Sequence, residues 1–412
     1  MRERGWCRGC GARAGLRIGE AVVGWVMCLK PISVLTAMVM VGLPCGAEEK
    51  FVNLFSGKDL SGWVNVNGAP ETWKLGEDGV LRCTGQPVAA LRTVRQYENF
   101  VLELEWRHMK AGGNAGIFVW ASPLPATGQP FLRAIEVQVL DNGYDVKGRN
   151  EWYTTHGDIF PIHGHVMKPG GRASGMRAFP AAEHSKSAPE WNSYRIEAKD
   201  GTLALFVNGV KVTTGSECRW RKGYLGLESE GSPTEWRNVR MSELPGSGAG
   251  EAESAPVMAA GMVPIYTGTD LRGWVATKGT KETWQVQDWV FTGTDPAGEL
   301  TTEMDQAGGE YVLDVKGPDA LPETPRVVVS QKGRPLIMSS DLDAGKWTRF
   351  RLDEKGVVKG ALTWNQEGVV ERVLPTKLEA PVSLTLHGGN SFGNVFLRSA
   401  GQLAPEGAKP RE

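Results

Sequence analysis

One long pattern occurs twice in the sequence, and this repeat restricts the possible folds more than any other feature. The segment FVNLFSGKDLSGW, which ends at Trp63, recurs as VPIYTGTDLRGW, which ends at Trp274. The triplet ETW recurs at the same spacing, ending first at Trp73 and then at Trp284. A chain of 412 residues is long enough for two such units, each with its own core. The repeat therefore predicts two domains built on one plan.

The repeat and the composition between its copies give the predicted domain boundaries. We expect a first domain over residues 48–244 and a smaller second domain over residues 263–400. Residues 245–262 are rich in Gly, Ser, Ala and Glu, which predicts a flexible linker. Residues 401–412 are predicted to form a tail.

Period-two alternation of apolar and polar side chains dominates the first copy. It occurs in residues 101–107, 135–139 and 203–207, and an Asn208-Gly209 hairpin signal follows the last of these. Helical periodicity is almost absent, and 53 Gly and 24 Pro suit a chain with many turns. These patterns predict an all-β protein made of two antiparallel jelly-roll sandwiches in tandem.

The same alternation assigns side chains to the two faces of a sheet. In IEVQVLD, the apolar residues at 135, 137 and 139 are expected in the core, so Glu136 and Gln138 share the opposite face. In GYLGLESEG, Glu228 and Glu230 are expected to point away from the core together. In copy two, VSLTLHGGN replaces this segment, and the region containing IEVQVLD is missing. The second domain is therefore expected to be a degenerate copy for packing, dimerisation or carbohydrate contact.

A long segment with little periodicity, residues 141–191, contains four of the six histidines. A stretch this long inside a compact domain is typically functional or disordered, and its histidine content favours a structured site loop. Two pairs within it, His156 with Asp158 and His163 with His165, have i, i+2 spacing, so the two side chains of each pair would point the same way on extended backbone. They are suited to hold a divalent cation or to donate to substrate oxygens. The candidate metal ligands are His156, Asp158, His163 and His165.

The N-terminal segment has the features of a secretory signal. Its apolar run, residues 32–43, is shorter than the roughly 20 residues of a membrane span, and small residues up to Ala47 follow it. We predict cleavage after Ala47, with Met27 as a possible true start, and an exported protein that is periplasmic or extracellular. Lipidation at Cys45 is the alternative.

Charge and cysteine content narrow the possible partners and the redox setting. A net charge of -1 disfavours a nucleic-acid platform, since such surfaces are strongly basic. Beyond the predicted signal only Cys83 and Cys218 remain. They either form a disulfide, as export would permit, or are two buried thiols.

Several segments of the first copy together resemble the 3-keto-disaccharide hydrolase domain family. They are FSGKDLSGW, GGNAGIFVW, IEVQVLDN, EWNSYRIEAKDGTLALFVNG and GYLGLESEG followed by WRNVRMSELP. Ala115 stands where the family commonly has serine. The resemblance covers residues 51–244 and implies a concanavalin A-like jelly roll that is exported and acts on glycosides oxidised at carbon 3.

The implied chemistry sets the requirements for a site. A ketone at carbon 3 acidifies the proton on carbon 2, so a base can remove it, the enolate can expel the anomeric substituent, and water can then add. Such a site needs a base, an acid for the leaving group and donors for the enolate oxygen. The catalytic candidates are Glu136, His156 and His163. The substrate-binding candidates are Arg107, Asn114, Gln138, Asp141, Asp158, His165, Glu228 and Glu230.

Two other functions are compatible with the sequence. Glu136 and Glu228 are candidates for an ordinary two-carboxylate glycoside hydrolase. A jelly roll also serves as a non-catalytic carbohydrate-binding module, because fold alone does not determine function. All three alternatives predict a carbohydrate partner, and none predicts nucleic acid or a membrane span in the mature chain. The oligomeric state is left open.

Overall fold

The computed structural model describes residues 49–56, 58–144, 156–256, 261–303, 309–360 and 372–399. Within these ranges the chain forms β-strands joined by turns and three short 3-10 helices, Glu251–Glu253, Lys281–Thr283 and Ser339–Asp341. The all-β prediction is confirmed. None of the helices in these ranges combines the length and the apolar character that a membrane span requires. The predicted signal and the predicted tail lie outside the described residues.

The described residues of the first sandwich form seventeen strands. They are β1 (Val52–Asn53), β2 (Trp63–Val66), β3 (Trp73–Leu75), β4 (Leu81–Cys83), β5 (Ala89–Thr93), β6 (Phe100–His108), β7 (Asn114–Ala121), β8 (Ala134–Leu140), β9 (Ile159–Ile162), β10 (Val166–Gly170), β11 (Ala173–Ser174), β12 (Arg177–Ala178), β13 (Asn192–Lys199), β14 (Thr202–Val207), β15 (Val210–Arg219), β16 (Tyr224–Ser229) and β17 (Thr234–Glu243).

These strands form two antiparallel sheets that enclose one core. The back sheet has the order β10-β15-β14-β13-β6-β17-β4-β3, and β1 pairs with β17. The front sheet has the order β11-β12-β9-β8-β7-β16-β5-β2. Every pairing between these strands is antiparallel, and the chain crosses repeatedly between the two sheets, for example from β5 to β6 and from β6 to β7, so the arrangement is that of a jelly roll.

Thirteen further strands belong to the second sandwich in the part of the chain that the structure describes. They are β18 (Val263–Pro264), β19 (Trp274–Lys278), β20 (Trp284–Gln287), β21 (Val290–Gly293), β22 (Glu299–Thr302), β23 (Gly309–Lys316), β24 (Val327–Gln331), β25 (Arg334–Met338), β26 (Trp347–Asp353), β27 (Gly356–Lys359), β28 (Arg372–Leu374), β29 (Thr385–His387) and β30 (Ser391–Ser399).

Its two sheets repeat the plan of the first sandwich on a smaller scale. The second back sheet has the order β20-β21-β30-β23-β26-β27-β28, with β18 on β30, and the second front sheet has the order β19-β22-β29-β24-β25. The repeated tryptophans make the same bond in both copies. Trp63 Nε1 donates to the carbonyl of Leu54 at 2.9 Å, and Trp274 Nε1 donates to that of Ile265 at 2.9 Å.

The face assignment made from alternation agrees with the register of the front sheet. Ile135, Val137 and Val139 are fully buried in the core between the sheets. Glu136 pairs across β7 with Phe118, so both side chains lie on the outer face of the front sheet.

That outer face is divided into an apolar half and a polar half. The apolar half consists of Val66, Ala90, Phe118, Ala134 and Tyr224, and it is buried against Met262 and, from the second back sheet, Val312 and Phe396. The polar half consists of Asn114, Gly116, Glu136, Gln138, Glu228 and Glu230. The second sandwich therefore covers part of a face that alternation alone would leave open to ligand.

Two segments predicted as loops are more ordered than expected. Residues 245–256, which belong to the predicted flexible linker, are fixed to the first sandwich. Glu98 accepts hydrogen bonds from the backbone of Ser247 and Ala249, and Arg221 pairs with Glu253 at 2.7 Å. The histidine-rich segment contains β9 to β12, so its described part extends the front and back sheets.

The two cysteines are not paired. Cys83 and Cys218 are both free and buried. Of the two alternatives left by the sequence, the structure therefore shows buried thiols.

Candidate functional site

Gly116 lies at the centre of the polar half of the front sheet. It belongs to β7, between β8 with Glu136 and β16 with Glu228. The position that a Cβ on Gly116 would take lies 2.7 Å from Glu228 Oε2 and 2.9 Å from Glu136 Oε1. The missing side chain therefore leaves the space into which carboxyl groups from both neighbouring strands project.

Glu230 completes a cluster of three carboxyl groups. Asn114 Nδ2 donates to Glu230 Oε2 at 2.5 Å. The Glu228 carboxyl is within hydrogen-bonding reach of Glu230, while its Oε2 is buried without a partner among the described residues. We call Glu136, Glu228 and Glu230 the carboxyl cluster.

A row of hydrogen bonds holds the side of the cluster nearest to β9 and β12. Gln138 Nε2 donates to Asn114 Oδ1 at 2.8 Å, and Arg177 Nη2 donates to Gln138 Oε1 at 2.7 Å. Arg177 Nε donates to Asp158 Oδ2 at 2.6 Å in a buried ion pair. Because each member fixes the next, the row fixes the orientation of Asn114, which bonds the cluster directly.

The environment raises the pKa of every carboxyl group in the cluster. Burial, with the negative charge of Glu230 added, raises the pKa of Glu136 to about 8, although Arg177 opposes this shift. Burial and the two neighbouring carboxylates raise the pKa of Glu228 well above its ordinary value. Burial raises the pKa of Glu230 to about 7. Hydrogen bonds from Glu228 and Asn114 oppose this shift, because they stabilise the ionised form of Glu230.

Near neutral pH the carboxyl cluster therefore contains both protonated and ionised groups. Like charges this close cannot all ionise without a large cost, so neighbouring carboxyls share protons. Glu230 is the member that hydrogen bonds favour in the ionised form, and Glu136 keeps its proton to higher pH. Such a site has a proton acceptor and a proton donor side by side.

Arg107 does not reach this site. It lies on β6 in the back sheet, where Nη2 pairs with Glu235 Oε2 at 2.6 Å and the guanidinium lies 4.6 Å from the Trp191 ring centroid. Its neighbour Trp106 points into the core, so Arg107 lies on the opposite outer surface of the sandwich. The structure therefore does not bring Arg107 together with Glu136, because alternation identifies a face of a strand but not the sheet to which the strand belongs.

Asp141 has a structural position instead of the predicted substrate-binding one. Its carboxylate is buried and accepts backbone hydrogen bonds from Gly112, Gly143 and Ala188, at 2.9, 2.8 and 2.8 Å. These three bonds occupy the carboxylate oxygens of Asp141 and fix the backbone at Gly112, Gly143 and Ala188.

His163 and His165 do not form the predicted pair. The backbone at His163 is left-handed, with φ of 50°, so the two side chains do not follow the rule for extended chain. The His163 ring stacks on Phe131, with centroids 6.0 Å apart. His165 is buried against Trp220, and burial together with the charge of Arg133 lowers its pKa to about 3.

His156 is buried at the edge of the site region. Its Nδ1 lies 3.9 Å from Glu183 Oε1, and its Nε2 lies 3.4 Å from the backbone nitrogen of His184. Burial lowers its pKa, and the charges of Glu183 and Asp158 act in the opposite direction. Its role as the catalytic counterpart of Glu136 stays a prediction.

The proposed ligands of a divalent cation do not come together. Across the described ranges no three side chains of His, Cys, Asp or Glu are grouped so that they could hold a metal ion. Asp158 instead pairs with Arg177, and the rings of His163 and His165 pack on other aromatic groups.

Sequence reasoning missed two residues of the site. Gly116 was overlooked because a glycine in a strand has no side chain to assign to a face, although a glycine there often marks a close approach. Arg177 lies on the two-residue strand β12, which is too short to show alternation. Its bonds to Asp158 and Gln138 are visible only once the strands are in register.

Comparison with known proteins gives one family match. Residues 50–242 match the model of the 3-keto-alpha-glucoside-1,2-lyase-like domain. No protein of curated function matches the chain.

Solved structures similar to this chain include enzymes and binding modules. A protein assigned as a glycosyl hydrolase from Parabacteroides distasonis has 25% identity and a TM-score of 0.39, covering 48% of this chain and 95% of its own. A carbohydrate-binding module from Bacillus subtilis has 13% identity and a TM-score of 0.32, with coverages of 44% and 96%. A β-glucanase from Bacillus licheniformis has 12% identity and a TM-score of 0.30, with coverages of 48% and 98%.

The family match spans both sheets of the first sandwich and every residue of the carboxyl cluster. Residues 50–242 are therefore similar to the 3-keto-alpha-glucoside-1,2-lyase-like domain family.

Proposed function

We propose that the first sandwich cleaves glycosides whose sugar is oxidised at carbon 3, by proton abstraction at carbon 2, elimination and hydration. The proposal combines the family match with the protonation states of the carboxyl cluster. Export of the protein, predicted from residues 1–47, is part of the same proposal.

The observation that supports this proposal most strongly is the grouping of three carboxyl groups, Glu136, Glu228 and Glu230, on the polar half of one sheet face. Elimination needs a base and an acid at neighbouring atoms of one sugar ring. Glu230 has a pKa of about 7 and a hydrogen bond from Asn114, so it is the base in this proposal. Glu136 has a pKa of about 8 and is the acid.

The proposed reaction is balanced by protons from the cluster and one water. Glu230 takes the proton from carbon 2, and the electrons move to the carbon 3 oxygen as an enolate. The enolate re-forms the ketone and expels the anomeric oxygen, which receives a proton from Glu136. Water then adds at carbon 1 of the unsaturated ketone and gives a proton to the ionised Glu136, while carbon 2 takes a proton from the cluster, which so returns to its starting protonation state. Glu228 keeps a proton next to both partners and allows it to redistribute.

The enolate oxygen needs hydrogen-bond donors or positive charge. Arg177 is the cation whose charge acts on Glu136, and it is held by Asp158 and Gln138. We assign it the role of stabilising the enolate oxygen. A fixed cation stabilises a charge that develops in the transition state without a cost of reorganisation.

Two-carboxylate hydrolysis is the second candidate, because Glu136 and Glu228 flank the same open position above Gly116. In that reaction the sugar needs no ketone, and the carboxyls act as acid and nucleophile or base. A binding module without catalysis is the third candidate, and it predicts retention of the sugar without product.

Incubation of the purified protein with matched substrates separates these functions. We expect release of the aglycone from 3-keto-glucosides and none from the same glucosides carrying a hydroxyl at carbon 3. Release from the unoxidised glucosides would favour ordinary hydrolysis. If the protein binds keto-sugars with a panel of aglycones but releases no product, the result would favour a non-catalytic binding module.

A further inference from the structure

A buried ion pair of the second sandwich lies at its contact with the first. Asp314 on β23 and Arg349 on β26 are cross-strand partners, and both side chains are fully buried. Arg349 Nε donates to Asp314 Oδ1 at 2.6 Å, and Nη2 donates to Asp314 Oδ2 at 2.8 Å. Burying both charges costs desolvation energy, and apolar residues often replace such pairs without loss of stability. Global stability therefore does not by itself explain the pair.

Both members of the pair also bind the first sandwich, and Asp314 Oδ2 accepts a further bond from Asn394 of the second sandwich at 2.7 Å. The Gly128 backbone N–H donates to Asp314 Oδ2 at 2.9 Å, and Arg349 Nη1 donates to the carbonyl of Pro125 at 2.7 Å. Asn394 Nδ2 adds a bond to the carbonyl of Gln129 at 2.9 Å. All three partners belong to the β7–β8 loop, residues 122–133.

The β7–β8 loop joins the two strands that form one side of the carboxyl cluster. Glu136 lies two residues after the start of β8, and β7 contains Gly116 and Asn114. A displacement of the loop therefore moves Glu136 relative to Glu228, which β16 holds separately. The Trp347 side chain also lies where a Cβ on Gly128 would be, so the loop backbone is in close contact with β26.

A second contact reaches the other side of the cluster. Ser229, between Glu228 and Glu230, donates its hydroxyl to the carbonyl of Pro87 at 2.9 Å. The second sandwich touches this segment through Gly268, whose Cβ position would lie 2.5 Å from Pro87, and through Asp288, which accepts the N–H of Val88 at 3.4 Å. Both segments that place the carboxyl groups thus contact the second sandwich.

We infer that Asp314 and Arg349 are positioning residues for the carboxyl cluster, acting through the β7–β8 loop. This inference rests on the proposed function. The second sandwich is then part of the framework of the site, and its role is to fix the distance between carboxyl groups supplied by different strands. Proton transfer depends steeply on that distance, since a displacement of about 1 Å can cost roughly 100-fold in rate.

The test replaces the pair by apolar side chains in the full-length protein. The double variant Asp314→Leu/Arg349→Met fills the space and leaves no unpaired charge, but it breaks the bonds to Gly128 and Pro125. We expect kcat on the 3-keto-glucoside to fall about 10- to 100-fold while KM changes less than about three-fold. Arg272→Gln is the matched control, because it removes an exposed ion pair between the sandwiches, with Glu71, outside this loop. Its kinetics should equal those of the wild type.

Asn394→Ala is the second variant, in case the double variant does not fold. It keeps the ion pair and its bonds to Gly128 and Pro125 but removes the bonds of Asn394 to Gln129, Asp314 and Asn67, so a smaller fall in kcat is expected. If either variant folds and has wild-type kcat, KM and pH profile, the inference is overturned.

A readout without activity keeps this inference separate from the proposed function. Glu136 contributes to the pH dependence of thermal unfolding, measured as the difference between each background and the same background with Glu136→Gln. In the double variant this contribution should change, because the burial of Glu136 changes. An unchanged contribution would contradict the positioning role, whereas a wild type inactive on every 3-keto-glycoside would contradict only the proposed function.

Discussion

The front sheets of the two sandwiches share one framework but have different outer faces. In the first, Glu136 and Glu228 lie beside Gly116 without a lysine or arginine directly bonded to either among the described contacts. In the second, His387 follows Leu386 as Glu228 follows Leu227, and it contacts Ser330 at 2.7 Å.

The carboxylate of the second front sheet is paired with a cation. Glu299 accepts from Lys278 Nζ at 2.5 Å and lies 3.7 Å from His387 Nδ1. Next to it, hydroxyl groups bond one another across the strands, and they belong to Thr277, Thr301 and Thr385. Crowded, buried carboxyls exchange protons near neutral pH, whereas Glu299 lies against the ammonium group of Lys278. The comparison teaches that the reactive property comes from the side chains on the outer face and not from the jelly-roll framework.

The largest effect is expected when the same Glu-to-Gln substitution is compared on the outer faces of the two front sheets. Glu136→Gln removes the proposed acid with little change in size, so kcat on a 3-keto-glucoside should fall about 100- to 10,000-fold. Glu299→Gln in the second sandwich should leave kcat within about two-fold of wild type. Equal losses in both variants, measured by steady-state kinetics on folded protein, would remove the distinction.

The next effect tests the empty position between the carboxyls. Gly116→Ala places a methyl group within 3 Å of Glu228 Oε2 and Glu136 Oε1, so one carboxyl must move. We expect kcat to fall by about 10-fold or more. Gly62→Ala is the control, because its Cβ would be 3.8 Å from its nearest neighbour, the carbonyl of Leu54. Unchanged kinetics in Gly116→Ala would show that the geometry above Gly116 is unimportant.

A smaller effect concerns stability as a function of pH. The pKa of Glu136 is raised from 4.5 in the unfolded chain to about 8 in the folded one. Its contribution to stability is therefore fully present below pH 4.5 and is lost as the pH rises toward 8. The slope for one group is at most about 1.4 kcal/mol per pH unit. Thermal unfolding of wild type and Glu136→Gln over this range should diverge in that direction, and parallel curves would contradict the raised pKa.

The smallest effect is expected at the back sheet. Arg107→Gln removes the pair with Glu235 on the far surface of the sandwich, so turnover should stay within about two-fold of wild type. A large loss of kcat would indicate that Arg107 takes part in the reaction, and it would contradict the conclusion that the site lies on the front sheet alone.

Alternation predicted the face on which each strand side chain lies, because successive side chains of a strand point to opposite faces of the sheet. It correctly assigned Glu136, Gln138 and Glu228 to the outer face of what proved to be the front sheet. It could not identify the sheet that contains Arg107, since a strand pattern has no information on which strands become neighbours.

The histidine-rich segment and the contact between the sandwiches were harder to predict. The i, i+2 rule failed at His163 because the chain turns there with a positive φ. The burial of Phe118 under Phe396 depends on packing between residues far apart in sequence, and no local pattern shows it. Glycine at position 116 matters through the side chain that it lacks.

Turnover of a 3-keto-glucoside in deuterium oxide tests the central claim most directly. Removal of the carbon 2 proton followed by addition of water predicts that the released keto-sugar contains solvent deuterium at carbon 2, at a level that neither a sample without enzyme nor Glu136→Gln reaches. Release of the aglycone with the original hydrogen kept at carbon 2 would mean that the bond is broken by direct displacement, and the proposed chemistry of the carboxyl cluster would be wrong.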